Sequence, residues 1–168
     1  LMIQFGKEPN VFTYNSLLYG FCLLGQLDDA AKMFKSIADR DGVHDVTTYN
    51  ILINGYCKNR MIDDAIWLFQ EMHHEGLTPT TVTYSTLIGA LCQGGRVRTA
   101  QKLFNEMQIH GLSPDLCSYS VLLDGLCKNG HIEEAMNVFK SVKSTELEAN
   151  IEVFSILIDG MCRAGKLE

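Results

Sequence analysis

Apolar residues recur along this chain at helical spacing, and the whole pattern recurs in turn. Tyr119, Leu122, Leu123, Leu126 and Cys127 step by three, one, three and one. Such positions share one face of an α-helix. The same steps give Tyr49, Leu52, Ile53, Tyr56 and Cys57, and before them Tyr14, Leu17, Leu18, Phe21 and Cys22. A second helical pattern follows each of these, as in Ile62, Ala65, Phe69 and Met72, or Val97, Ala100, Phe104 and Met107. Ala30, Ala65, Ala100 and Ala135 hold one register, small where two helices are expected to cross closely.

The repeat is regular. The stretch 118–128 has counterparts at 13–23, 48–58, 83–93 and 153–163, and Cys22, Cys57, Cys92, Cys127 and Cys162 fall 35 residues apart by subtraction. A fixed period of this size marks an array of stacked units. Residues 11–45, 46–80, 81–115 and 116–150 make four units, 151–168 the first half of another, and 1–10 the tail of an earlier one. The chain therefore reads as a section of a longer array. One helix pair buries too little to stand alone, whereas stacked pairs bury one another. The predicted fold is all-α, a right-handed α-solenoid of stacked helix-turn-helix units. Uncovered end units would then expose apolar faces and favour self-association.

Turn residues agree with this division. Gly25, Gly95, Gly130 and Gly165 fall where the first helix of a unit should end, which suits a left-handed residue after the C-cap. Arg60 stands there in the second unit, beside Asn59. A Gly-x-x-Pro turn closes a unit, as in Gly76 to Pro79 and Gly111 to Pro114; His44 and Ala149 replace the proline elsewhere.

Charge and candidate chemistry narrow the picture less. The formal net charge is −6, which opposes nonspecific binding to polyanions but does not place individual cations. No run of roughly 18 apolar residues is present, so no membrane-spanning helix is expected. The five registered cysteines lie beside apolar residues, without Cys-x-x-Cys or zinc-like spacing, and read as small buried hydrophobes rather than disulfides or metal ligands. Asp28–Asp29, Asp63–Asp64 and Glu133–Glu134 open second helices, where negative charge favours the helix dipole. Arg98–Thr99 in the third unit breaks any shared catalytic role. His44, His73, His74, His110 and His131 form no i, i+4 pair and are expected on solvent faces. No phosphate loop or nucleophile elbow appears, so neither a cofactor nor catalysis is expected.

The other face of each first helix carries the remaining signal. Places 2, 5, 9 and 13 of a unit form one outward stripe: Phe12, Asn15, Tyr19 and Leu23; Thr47, Asn50, Asn54 and Lys58; Val82, Ser85, Gly89 and Gln93; Cys117, Ser120, Asp124 and Lys128; Glu152, Ser155, Asp159 and Arg163. The fifth place is always a short hydrogen-bonding residue. The last place, Asp45, Thr80, Asp115 or Asn150, is short and polar too, with Asn10 ending the preceding unit. Last-place residues can also be plain N-caps of the next helix.

The Val-Thr-Tyr-Asn/Ser-x-Leu-Ile-x-Gly-x-Cys-Lys-x-Gly run, followed by Asp/Glu-Ala, Phe-x-x-Met and Gly-x-x-Pro-Asp, resembles the pentatricopeptide repeat across essentially the entire chain. Uniform spacing is similar to the P class, and the Gly-x-Cys-Lys flavour to the plant restorer-of-fertility-like group. The resemblance implies binding of single-stranded RNA at one base per unit, in a mitochondrion or alternatively a plastid. It implies that fifth and last residues read the base edge: Asn15/Asp45 for U, Asn50/Thr80 for a pyrimidine, Ser85/Asp115 for G and Ser120/Asn150 for A. Ser155 suggests a purine, giving 5′-U-Y-G-A-R-3′ along the chain from N to C. It further implies that Phe12, Thr47, Val82 and Cys117 wedge between bases and that Lys58, Lys128 and Arg163 meet phosphates. The cations would also suit a helix C-terminus without any ligand. Leu23 and Gln93 cannot meet phosphate, and Glu152 would repel it. A tetratricopeptide-like scaffold binding a peptide is the alternative. That family has a period of about 34 residues and a small residue where this chain has Leu18, Ile53, Ile88 and Leu123.

Overall fold

The computed structural model describes residues 9–41, 44–143 and 150–165. Most of the expected tail 1–10 and the turn residue Ala149 lie outside them. Among the described residues every regular element is a helix. Unit-opening helices, called A here, are α1 (Val11–Leu23), α3 (Val46–Lys58), α5 (Thr81–Gln93), α7 (Leu116–Lys128) and α9 (Ile151–Arg163). Their B partners are α2 (Leu27–Asp41), α4 (Ile62–His74), α6 (Val97–Ile109) and α8 (Ile132–Lys143). The helices fall into two compact bodies, Leu1–Pro79 and Thr80–Glu168. In the first, α1 packs on α2 and α3, and α3 on α4. In the second, α5 packs on α6 and α7, while α7 also packs on α8 and α9.

Helix A ends are set by local chemistry. Asn10, Asp45, Asp115 and Asn150 each accept the backbone N–H of the third residue of the following helix, at 2.7–3.0 Å. At the other end, Gly95 N–H donates to Cys92 O at 3.1 Å and Arg96 N–H to Leu91 O at 2.8 Å. This is the Schellman arrangement, which needs a left-handed residue. Gly95 supplies it with φ of 72°, and Arg60 adopts φ of 62° in the same role.

Most of the expected packed face is buried, while Tyr14, Phe21 and Tyr56 are half-buried. Tyr49, Leu52, Ile53, Tyr84, Leu87, Ile88, Leu122 and Leu123 are buried, and Ala30, Ala65, Ala100 and Ala135 are fully so. Leu17 departs from its register mates at 47% exposed. Within the bodies α2, α6 and α8 pack against the helix A that follows each, and no helix B precedes α1 among the described residues. His44 does not sit on a solvent face. Its ring stacks on Phe34 at 3.8 Å between centroids and meets the edge of Tyr49, filling the place of the missing proline. Burial pushes its imidazole below the ordinary value, against the opposing pull of Glu75 and Asp45.

Consecutive A helices approach through sulfur on glycine. A Cβ built at Gly160 would lie 2.6 Å from Cys127 Sγ, and Gly125 sits still tighter beneath Cys92, as Gly55 does beneath Cys22. The amide of Asn129 reinforces one such seam, donating to Cys92 O at 3.0 Å and Gly125 O at 2.8 Å. Burial pushes the thiols up, to about 12 for Cys57 and about 11 for Cys92. Cys162 does not follow the expectation of burial and is exposed, because no following helix A covers it among the described residues.

Three substitutions test these features by urea unfolding. Gly125→Ala should lower stability by about 1 kcal/mol or more, because overpacking outweighs the gain in helix propensity. Gly20→Ala, at the same place but with nothing within 4 Å of a built Cβ, should instead raise it by about 1 kcal/mol. Arg60→Gly should add about 0.5–1 kcal/mol by relieving the left-handed backbone, even after the entropy of glycine is counted.

Candidate nucleic-acid interface

The cap that starts each helix A also points one of its atoms away from that helix. The N-terminal amide needs an oxygen, so the capping carboxamides of Asn10 and Asn150 turn Oδ1 inward, to Thr13 N and Val153 N at 3.0 Å. Their Nδ2 groups therefore face the other way as donors. Asp45 and Asp115 cap through Oδ1 in the same fashion. An ionised carboxylate only accepts, so its second oxygen presents an acceptor where asparagine presents a donor.

Last-place and fifth-place residues meet at two junctions. Asn15 Nδ2 donates to Asp45 Oδ1 at 3.4 Å. The same carboxylate oxygen accepts the Thr48 amide and hydroxyl, each at 2.7 Å. Burial alone would raise the Asp45 carboxyl, but hydrogen bonds from Thr48, Asn15 and the Thr47 amide hold it below the ordinary value. In the second body, Ser85 Oγ lies 2.9 Å from Ser118 Oγ, which donates to Asp115 Oδ1 at 2.7 Å. Thr80 pairs with Thr83, hydroxyl to hydroxyl at 3.2 Å.

The fifth place is not an outward stripe. Asn15 and Ser120 are only 8% and 6% exposed, Asn50 and Ser85 are half-buried, and Ser155 alone of the five is exposed. The close approach of one helix A to the next recesses this place. Ser120 nevertheless lines an open cleft of about 490 Å³ between α7 and α9, together with Cys117, Asp124, Asn150, Glu152 and Ile156. Ser155, with no following helix A among the described residues, donates to Ile151 O at 2.8 Å instead.

Second-place residues do face outward. Phe12 is 79% exposed and Val82 63%, with Thr47, Cys117 and Glu152 exposed too. Of the cations at place 13, Lys128 pairs with Asp124 at 2.7 Å and Arg163 with Asp159 at 2.8 Å. Both pairs are solvent-exposed, and such pairs are worth little. Lys58 is exposed, with Asn54 one turn earlier. The acidic pairs opening α2, α4 and α8 are exposed in first turns, on helices other than those bearing these places.

The structure adds one residue that stripe arithmetic leaves out. Place 3 holds Thr13, Thr48, Thr83, Ser118 and then Val153. Its hydroxyl joins last place to fifth place at both junctions just described. The recurrent Thr or Ser beside a buried Tyr was the available signal.

Comparison with known proteins places this arrangement. No curated protein matched the chain. The pentatricopeptide repeat protein PPR10 from maize superposes with a TM-score of 0.85 at 26% identity, over 98% of this chain. This chain spans 24% of that one. The same maize protein in complex with an 18-nt psaJ RNA element gives 0.81 at 23% identity, covering 95% of this chain and 24% of the other. The PPR domain of Arabidopsis thaliana protein-only RNase P 1, in complex with tRNA, gives 0.73 at 17% identity over 89% of this chain and 79% of that one. These likenesses establish an all-α helical-repeat solenoid class. The PPR repeat family profile matches residues 44–93, 79–128 and 117–163, and a PPR repeat profile matches 5–37. With most of its length matched, the chain belongs to the PPR repeat family.

Proposed function

We propose that this chain binds single-stranded RNA, each unit offering a fifth-place and a last-place side chain to one base. The observation that carries the reading is the convergence of those side chains, as in Asn15 with Asp45, and Ser120 with Asn150 around one cleft. The maize relative's complex with an RNA element supports it. So does the chemistry of the outward atoms. Uracil and guanine carry a ring N–H where Asp45 and Asp115 would offer acceptors. Adenine carries a ring acceptor where Asn150 would offer a donor. The preferred strand is 5′-U-Y-G-A-R-3′. Exposed Phe12, Val82, Thr47 and Cys117 suit contact with base faces, a sequence-tolerant source of affinity. In the finer reading this is a P-class, restorer-like section acting on organellar transcripts, in processing, stability or translation, in a mitochondrion or plastid.

Anisotropy titration of labelled 5′-UCGAA-3′ against a scrambled strand tests the reading, with a salt series. The matched strand should bind more tightly, and log affinity should fall against log salt with a slope of roughly −2 if Lys58, Lys128 and Arg163 each meet a phosphate. Equal affinity for both strands would remove the reading. Ser85→Asn should move the third-base preference from G to U by roughly tenfold, the scale of one well-placed hydrogen bond. Helices α1 and α9 expose Leu17, Tyr19, Leu23, Ile151, Phe154 and Ile158. This supports self-association of the chain, so the titration is run at several protein concentrations.

A further inference from the structure

We propose that where the following unit carries a third-place hydroxyl, that hydroxyl is a positioning residue for base choice: it sets the proton direction between the fifth-place and last-place side chains. This rests on the RNA-binding reading above and deepens it.

Proton counting at the third junction leads to it. Asp115 Oδ1 can only accept, so the single hydroxyl proton of Ser118 goes to it at 2.7 Å. Ser85, 2.9 Å from Ser118 Oγ, must then donate to Ser118. That spends the only proton Ser85 has. Toward a base, Ser85 retains lone pairs alone, and Asp115 beside it also offers only acceptance. Guanine presents adjacent donors, N1–H and the exocyclic amine, and is the base that matches two acceptors.

At the first junction Thr48 Oγ1 lies 2.8 Å from Asn15 Oδ1, and Asn15 Nδ2 lies 3.4 Å from Asp45 Oδ1. Turning the Asn15 amide over would set its oxygen against a carboxylate. The Asp45 carboxylate therefore holds one amide orientation, leaving a fixed donor and acceptor side by side, and the single Thr48 hydroxyl proton is shared between Asp45 Oδ1 and Asn15 Oδ1. The fourth junction lacks the device. Val153 stands at the third place, fully buried, and Asn150 caps it through backbone only. Ser120 keeps its proton, so its hydroxyl can serve as donor or acceptor. Thr13, by contrast, donates its hydroxyl to Asn10 Oδ1 at 3.1 Å, showing that an asparagine cap accepts the same bond.

The test compares affinity ratios rather than affinities, using strands that differ at one base. In this chain, Ser118→Ala should cut the preference for G over A at the third base roughly tenfold. Ser118→Thr should keep it. A merely structural loss would weaken all strands alike and leave the ratio unmoved. Val153→Thr, nearly isosteric, should raise the preference for A over G at the fourth base several-fold by making Ser120 an acceptor for the adenine amine. Circular dichroism checks folding. If Ser118→Ala unfolds, Val153→Thr decides: no gain in the ratio overturns the inference. If the unaltered chain prefers G and folded Ser118→Ala prefers it equally, the inference falls while RNA reading stands. If the unaltered chain shows no base preference, both fall.

Discussion

Close approach of neighbouring A helices is the constraint on which the rest of this structure depends. Within each body it is set by a thiol seated on a glycine that has no side chain to give. Nothing larger than hydrogen fits at Gly125 or Gly160 without displacing sulfur. This contact has a geometric by-product. It brings the start of one helix A against the middle of the one before, so that Asp45 reaches Asn15, and Asp115 reaches Ser85 through Ser118. Residues 30 apart in sequence become partners because a cysteine and a glycine 33 apart touch.

Much of this fold was legible in the residue pattern. Helix faces follow from 3.6-residue periodicity, and helix starts and ends from short polar caps and glycines. Each is a local signal repeated in register, so chance errors average out. Arg60 could be placed as the left-handed residue only because four glycines occupied its register. What escaped was non-local. Leu17 has the right periodicity for burial, but burial needs a neighbour. His44 is polar by composition, yet a turn site shaped for proline takes its ring flat against Phe34.

The site was legible in a coarser way. Counting along helix A picked out the short polar residues at the fifth and last places that meet at the junctions, and second-place residues that stand exposed. It could not find depth, because a helical wheel knows nothing of the next helix. Asn15 and Ser120 are thus recessed rather than outward, while Phe12 and Val82 remain prominent. The third place was hidden for the opposite reason. Thr48, Thr83 and Ser118 are buried beside the core tyrosines and read as interior filler. Their function as connectors appears only when hydrogen-bond directions are counted. Two of the three cations at the thirteenth place, Lys128 and Arg163, have aspartate partners, Asp124 and Asp159, one turn back on the same helix.

The double duty of the last-place residue has a consequence for how such an array can change over time. Its side chain starts the next helix, and only a few short residue types perform that task well. Replacing Asp115 or Asn150 with a long or apolar group would loosen a helix before it altered any recognition. The vocabulary open to this place is therefore rationed by helix initiation, not by what nucleotides could be told apart. Under the proposed reading, drift toward new targets would run through exchanges such as Asp for Asn, which swap an acceptor for a donor while leaving the helix start undisturbed.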